Sequence, residues 1–248
     1  MPKTLLLTGA SRGIGAATAL LAASQGWQVA VNYASNSLAA DGVVRQIRAA
    51  GGVAIAVQAD VSVEADVLRL FKTVDAKLGR LEALVNNAGV VDLAQRVDEM
   101  SMSRLSRMWA TNITSCFICG REAVRRMSTK HGGTGGVIVN VSSVASRLGS
   151  PAQYVDYAAS KAAIDAFTLG LAKEVAAEGI RVNAVRPGII DTDIHASGGD
   201  PDRASRMAAQ LPMARAGTAQ EVAQAIVWLL SDASSYTTGT LLDVAGGR

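Results

Sequence analysis

Leu5-Leu6-Leu7-Thr8-Gly9-Ala10-Ser11-Arg12-Gly13-Ile14-Gly15 decides how the rest of the chain is read. A short leucine run stopped by glycine makes a buried strand, and the Ala/Leu-rich stretch to about Gln25 makes a helix that begins where the glycines end. A strand that passes through glycines into a helix leaves bare N–H groups at the positive end of that helix. Such an arrangement holds phosphate, and a pyrophosphate is expected in this loop. The spacing is Gly-x-x-x-Gly-x-Gly, not the Gly-x-Gly-x-x-Gly fingerprint, and no Lys-Ser/Thr follows the last glycine. Hydrolysis of a nucleoside triphosphate is therefore disfavoured.

Outward from that loop the chain alternates. Strands are expected at 27–31, 53–57, 81–85, 137–141, 180–185 and 239–244, with helices at 38–50, 64–78, 103–127, through Tyr157 to about 179, and at 220–230. The Gly132–Gly136 run precedes a strand and reads as a loop. Short apolar strands alternating with helices imply an α/β fold: a Rossmann-type, doubly wound parallel sheet of about seven strands with helices on both faces. No linker or charge block divides the chain, so one domain is expected over 1–248. Between 191 and 217 the alternation fails, and that segment is expected to cover the substrate.

Composition narrows the function. With 24 basic against 21 acidic residues the net charge is +3, and the cluster Arg121, Arg125, Arg126, Lys130 has the spacing of a solvated helix face. Nucleic acid is thus not an expected partner. No apolar run approaches the roughly 20 residues of a membrane span, and no signal peptide is read at the start. Cys116 and Cys119 form a C-x-x-C inside an apolar helical stretch with no matching Cys or His pair, so buried thiols in a reducing, cytoplasmic setting are expected, with no metal.

Ligands of such sheets gather at the carboxyl ends of the strands. Asn32, Ser35 and Asn36 follow the second strand, and the first carboxylate after it is Asp41, beyond the turn. An acid at that place holds the ribose 2′-hydroxyl of NAD, and its absence, with Arg12 in the loop, favours the 2′-phosphate of NADP(H). Asp60 follows the third strand, Asn86-Asn87-Ala88-Gly89 the fourth, and Ser142-Ser143 the fifth.

Tyr157-Ala158-Ala159-Ser160-Lys161 puts a phenol and an ammonium one helical turn apart on the same face. A free tyrosine, with a pKa of about 10, shuttles protons poorly at neutral pH. A neighbouring cation favours the phenolate and makes the group serviceable as an acid or base.

In order and spacing, Thr8-Gly9-x-x-x-Gly13-x-Gly15, Asp60, Asn86-Asn87-Ala88-Gly89, Asn112, Ser143, Tyr157-x-x-x-Lys161 and Pro187-Gly188 resemble the short-chain dehydrogenase/reductase family along the whole chain. The resemblance implies Tyr157 as general acid or base, Lys161 beside it and on the nicotinamide ribose, Ser143 as donor to the substrate oxygen, and Asn112 as holder of a relay water. It also implies cofactor contacts from Gly9, Ser11, Arg12, Gly13, Ile14 and Gly15, from Asp60 and Val61 at the adenine, from Asn87, Ala88 and Gly89 near the ribose, and from Ile190 and Thr192 at the nicotinamide amide. Ser142 and Ser143 point to opposite faces, so only one serves; the family pattern selects Ser143. Fourteen residues separate Ser143 from Tyr157, one more than is common in the family, which implies an insertion in 147–151 and a reshaped substrate side. Arg147, Gln153 and Tyr154 are expected near the substrate, and His195 is expected to be a solvated residue of the cover.

The implied activity is hydride transfer between NADP(H) and a small ketone, aldehyde, sugar or related alcohol, by a homotetramer. A 3-oxoacyl thioester on a carrier protein is the competing substrate, against which Glu174 and Glu178 on the catalytic helix argue mildly. A protein that binds NADP(H) as a sensor, without turnover, is the reading from another class.

Overall fold

Leu5 and Leu7 face one side of the first strand and Leu6 the other, and that alternation divides the core in two. The computed structural model describes residues 2–248. Its strands are β1 (Thr4–Leu7), β2 (Gln28–Tyr33), β3 (Ala54–Gln58), β4 (Leu81–Asn86), β5 (Gly136–Val141), β6 (Ile180–Pro187), β7 (Ile190–Asp191), β8 (Gly217–Thr218) and β9 (Leu241–Val244). Seven make one parallel sheet in the order β3-β2-β1-β4-β5-β6-β9, and β7 pairs with β8 apart from it.

Helices α1 (Gly13–Ser24), α2 (Ser37–Ala49), α3 (Glu64–Leu78), α4 (Met102–Trp109), α5 (Ser115–Met127), α6 (Ala145–Leu148), α7 (Val155–Val175), α8 (Ile194–Ser197), α9 (Arg203–Ala208) and α10 (Ala219–Leu230) complete the chain. α1, α2 and α10 pack on the Leu5/Leu7 face, α3, α5 and α7 on the Leu6 face. Strands covered on both sides need apolar residues at successive positions, as in the fully buried Leu5-Leu6-Leu7 and Ala83-Leu84-Val85. The order reverses at β1, which pairs with both β2 and β4, so a crevice opens beyond the carboxyl ends there.

Expected elements and observed ones differ chiefly in the 103–127 helix. A π-helical turn, Ala110–Thr114, separates α4 from α5 and carries the buried Asn112. Such bulges put an extra residue into a turn and re-aim a side chain. The short α6 and the β7/β8 pair have no counterpart in the sequence reading; both are too short for periodicity to register.

Candidate active site

The turn from β1 to α1 is shaped by contacts that leave no room for a side chain. Gly9 has φ +61, and a Cβ there would stand 2.9 Å from Ala88 Cα. At Gly15 it would stand 2.6 Å from Gly9 O and 2.7 Å from Asn87 Nδ2. Arg12, extended at φ −156, lends α1 no side-chain cap, and no acid lies in the first helical turn. The helix therefore presents its positive end in a cradle that Cβ atoms would fill, which fits a pyrophosphate.

Neighbouring side chains brace this cradle. Asn87 donates from Nδ2 to Thr8 O and Gly9 O, both at 2.9 Å, while Thr8 Oγ1 accepts the N–H groups of Asn87 and Ala88 at 3.0 Å. Asn32, expected as a cofactor contact, is buried, with Oδ1 accepting Gly9 N–H at 3.2 Å and Nδ2 donating to Ala59 O at 3.0 Å and Val57 O at 3.3 Å. Its carboxamide is committed to tying the glycine loop to the end of β3. Asn36 accepts Ala39 N–H at 3.0 Å and caps α2, so Arg12 and Ser35, both exposed, are the groups left free beside it. Asp60 accepts the N–H and hydroxyl of Ser62 at 2.9 and 2.7 Å, and Val61 is buried behind it.

One cleft gathers Ile14, Asn87, Gly89, Ser143, Tyr154, Tyr157, Lys161, Ile190 and Thr192. Lys161 is buried, donates from Nζ to Val141 O at 2.8 Å, and holds its ammonium 5.6 Å from the centre of the Tyr157 ring. Ser142 donates to Lys161 O at 3.0 Å and so is spent on α7. Ser143, on the other side of the strand end, accepts Ala145 N–H at 3.1 Å. Asn112 Oδ1 accepts Val90 N–H at 2.8 Å, and Nδ2 donates to Val90 O at 2.9 Å and to Ser160 Oγ at 3.1 Å. The carboxamide thus clamps the chain beyond β4 to α7 and is largely occupied by protein groups. Asn112 Oδ1 and Lys161 Nζ each lie 3.5 Å from where a Cβ on Gly89 would stand, so the relay expected of them runs past a residue without a side chain.

On the substrate side the structure separates the expected residues. Tyr154 is on the cleft wall, its hydroxyl donating to Gly198 O at 3.3 Å. Arg147 and Gln153 are not on that wall. Arg147 donates to Arg248 O at 3.1 Å and pairs with Asp243 at 2.8 Å, while Gln153 Oε1 accepts from Arg203 Nη2 at 3.0 Å. α6 ends on left-handed Gly149 at φ 71, and on either side of that turn Leu148 and Ser150, but not Arg147, line the cleft. His195 also lines the cleft, its Nε2 2.8 Å from Ile190 O; burial, the largest influence, holds its pKa below the usual 6.5.

Sequence reading passed over Arg104 and Asp156. Their side chains, 7% and 0% exposed, form a two-pronged ion pair at 2.7 and 3.2 Å, and Arg104 also donates to Leu93 O at 2.7 Å. Asp156 Oδ1 accepts Tyr157 N–H at 2.9 Å, so the pair fixes the first turn of α7 against α4. Only the position of Asp156 beside Tyr157 hints at this; Arg104 looks like any surface residue of α4. Cys116 and Cys119 are free and buried, and burial raises the Cys116 thiol to about 11. Among the described residues no His/Cys/Asp/Glu group could hold a metal ion.

A phosphate cradle, a phenol and an ammonium in one crevice of a doubly wound sheet define a dinucleotide-dependent oxidoreductase. The profile of a family described as enoyl-(acyl carrier protein) reductase matches residues 9–248. An uncharacterized oxidoreductase of Escherichia coli, YgfF, is 58% identical over 98% of each chain. A 3-oxoacyl-[acyl-carrier-protein] reductase of Synechocystis is 43% identical over 98% of this chain and 95% of its own. Among solved structures, a short-chain dehydrogenase from Burkholderia cenocepacia in complex with NADP superposes with a TM-score of 0.90 at 33% identity, over 99% of this chain and 97% of that one. The chain belongs to the short-chain dehydrogenase/reductase family.

Proposed function

We propose that the protein transfers a hydride between NADP(H) and a small ketone, aldehyde, sugar or related alcohol. The observation that carries this reading is the pair Tyr157 and Lys161 on the wall of the cleft that also holds Ile14 and Asn87 of the phosphate cradle. The nicotinamide, when bound, gives or takes the hydride. Tyr157 Oη gives its proton to the substrate oxygen in reduction and takes one in oxidation. Lys161, kept in place by Val141 O, offers positive charge to the oxygen left behind and a donor to the ribose hydroxyls. Ser143 donates to the substrate oxygen where charge develops, a contact whose loss costs about 10²–10³-fold in turnover. Asn112 fixes Val90 and α7 in register, so that a relay water has walls to lie between.

Preference for NADP(H) is supported by the lack of any carboxylate between Asn32 and Asp41, by the exposed Arg12, and by the NADP complex of the Burkholderia neighbour. Assembly as a homotetramer belongs to the same proposal, supported by exposed Trp109 and Phe117 on the helices around Asn112 and by Trp228 on α10. A cytoplasmic setting is supported by the two free cysteines. No helix of the described residues is long and apolar enough to cross a membrane.

Crossing NADPH and NADH with a varied panel of carbonyls, followed by nicotinamide absorbance, tests the reading. Turnover of free ketones or sugars with NADPH ahead of NADH supports it. Turnover confined to 3-oxoacyl thioesters would favour the carrier-protein reading, to which the Synechocystis relative lends weight. Tight NADPH binding with no turnover on any member would favour the sensor.

A further inference from the structure

Arg203 and Arg248 both line the cleft, whose wall is otherwise rich in apolar side chains such as Leu148, Ile189 and Ile194. Arg203, on α9, lies over the Tyr154 ring at 5.3 Å, and its Nη2 donates to Gln153 Oε1 at 3.0 Å. Its nearest carboxylate, Asp200 at 3.9 Å, is already gripped by both terminal nitrogens of Arg206. Arg248 is half-buried, and its backbone is held by Arg147 on its carbonyl at 3.1 Å and by its own N–H on Ala245 O at 3.2 Å. Burial first, and Arg203 second, push the Arg248 pKa down.

Like charges drawn together in a partly desolvated wall oppose one another, and the one carboxylate in range of Arg203 is shared with Arg206. Packing does not require the arrangement, since apolar side chains such as Leu or Met would line the same wall without that cost. A bound anion removes it, and the guanidinium fork matches the oxygens of a carboxylate or phosphate. Tyr154 precedes Tyr157 by three residues, and Arg203, Tyr154 and Tyr157 line one cleft, so a single small molecule can meet both the guanidinium and the phenol.

We propose that Arg203 and Arg248 form an oxyanion subsite, so that the substrate is a short carbonyl or alcohol compound whose far end bears a carboxylate or phosphate. The subsite rests on the reductase reading only for what the other end of the substrate does. Arg203 comes from α9 in the 191–217 segment, which Tyr154 also holds through Gly198 O, so an anion on Arg203 would fasten that segment to the cleft.

The test compares short oxo acids with their methyl esters, and an oxoalkyl phosphate with its alcohol, under NADPH. In the native protein the charged member of each pair is expected to have the higher kcat/KM by about tenfold or more. Arg248→Gln should collapse that ratio by about tenfold while Arg248→Lys keeps part of it, and Arg203→Gln should act in the same direction. If the acid leads and the phosphate does not, the anion is a carboxylate; the reverse assigns a phosphate. Ratios near one in the native protein, or unmoved in Arg248→Gln, overturn the proposal. So does a loss of NADPH affinity in Arg248→Gln as large as the loss in acid turnover, since the arginines would then serve the cofactor.

Calorimetry with a non-reducible short alkanoate and an alkyl phosphonate keeps the two readings apart. Binding of either that Arg248→Gln abolishes, with no carbonyl reduced, sinks the reductase reading and leaves the subsite standing. Ester reduction with no binding of either anion does the opposite. Should Arg203→Gln fail to fold for want of its contacts to Tyr154 and Gln153, Arg248 carries the test alone.

Discussion

Around the glycine loop, nearly every buried polar side chain is closed onto backbone: Asn32 onto Gly9 and the end of β3, Asn87 onto Thr8 and Gly9, Thr8 onto Asn87 and Ala88. Across the cleft, the 145–154 loop and the 191–217 segment are joined by surface pairs such as Arg147–Asp243 and Arg206–Asp200, by Tyr154 on Gly198 O and by one arginine stacked on a tyrosine. There, left-handed conformations fall not only on Gly149 and Gly199 but also on Ser150 at φ 46, Ala152 at φ 57 and Ala214 at φ 52. Exposed ion pairs contribute about 0–1 kcal/mol each, whereas a buried polar group left unpaired costs about 1–3 kcal/mol. The cofactor half is therefore rigid and intolerant, and the substrate half can be rebuilt at small cost. A cofactor is shared across such proteins while substrates differ, and the division of rigidity follows that need.

Tyr157 sits where the halves meet, and its loss should have the largest effect. Tyr157→Phe should lower turnover by about 10²–10⁴-fold while NADPH affinity, read by nucleotide fluorescence, changes little. Lost affinity with unchanged turnover per bound complex would move Tyr157 from chemistry to binding.

Two substitutions probe the halves in opposite senses. Gly15→Ala drives a Cβ to 2.6 Å from Gly9 O and 2.7 Å from Asn87 Nδ2, atoms that cannot yield without breaking the brace. A loss of about 2–3 kcal/mol in stability, seen in denaturant melts, and of most NADPH binding is expected. Ala152→Gly relieves a left-handed residue worth about 1–2 kcal/mol of strain, less the extra freedom glycine has when unfolded, for a net gain of about 0.5 kcal/mol. Equal and opposite responses are not expected, and a destabilised Ala152→Gly would mean that the substrate loop is as tightly specified as the cradle. Between these in size, Arg12→Ala should weaken NADPH by about tenfold and NADH hardly at all. Equal weakening of both would leave the 2′-phosphate without its proposed partner.

The same division governs what could be read in the sequence. The cradle was legible because glycine has a steric signature, and because short apolar strands beside helices leave few topologies. Asn32 shows the limit: its place at the end of β2 was visible, but its carboxamide reaches β3 and the glycine loop, contacts made only by the folded sheet. Arg104 was invisible for the same reason, its partner Asp156 being 52 residues away. The π-turn at Asn112 could not be read from an apolar spacing that fits an ordinary helix. On the substrate side, nothing in sequence marks Arg203 and Arg248 as arginines that line the cleft.

The weakest effect belongs to His195, the one histidine on the cleft wall. Burial favours its neutral form, while the hydrogen bond to Ile190 O and the charges of Asp200 and Asp191 pull the other way and Arg203 reinforces burial; the net result is a lowered pKa. Above the unfolded value of 6.5 the ring is neutral in both states and pH has no hold on stability. As pH falls below that value the unfolded chain takes the proton first, so stability drops until the folded ring is protonated too. His195→Gln, which keeps an N–H for Ile190 O, should remove that drop. Because the ring is only half-buried, solvent screening reduces the effect to a few tenths of a kcal/mol, about 1 °C in Tm between about pH 7.5 and 5.5. A difference of the opposite sign would mean that the Ile190 hydrogen bond and the two aspartates together outweigh burial. The cover would then tighten in acid, with the charge of the protonated ring drawing Asp191 and Asp200 in against the cleft wall.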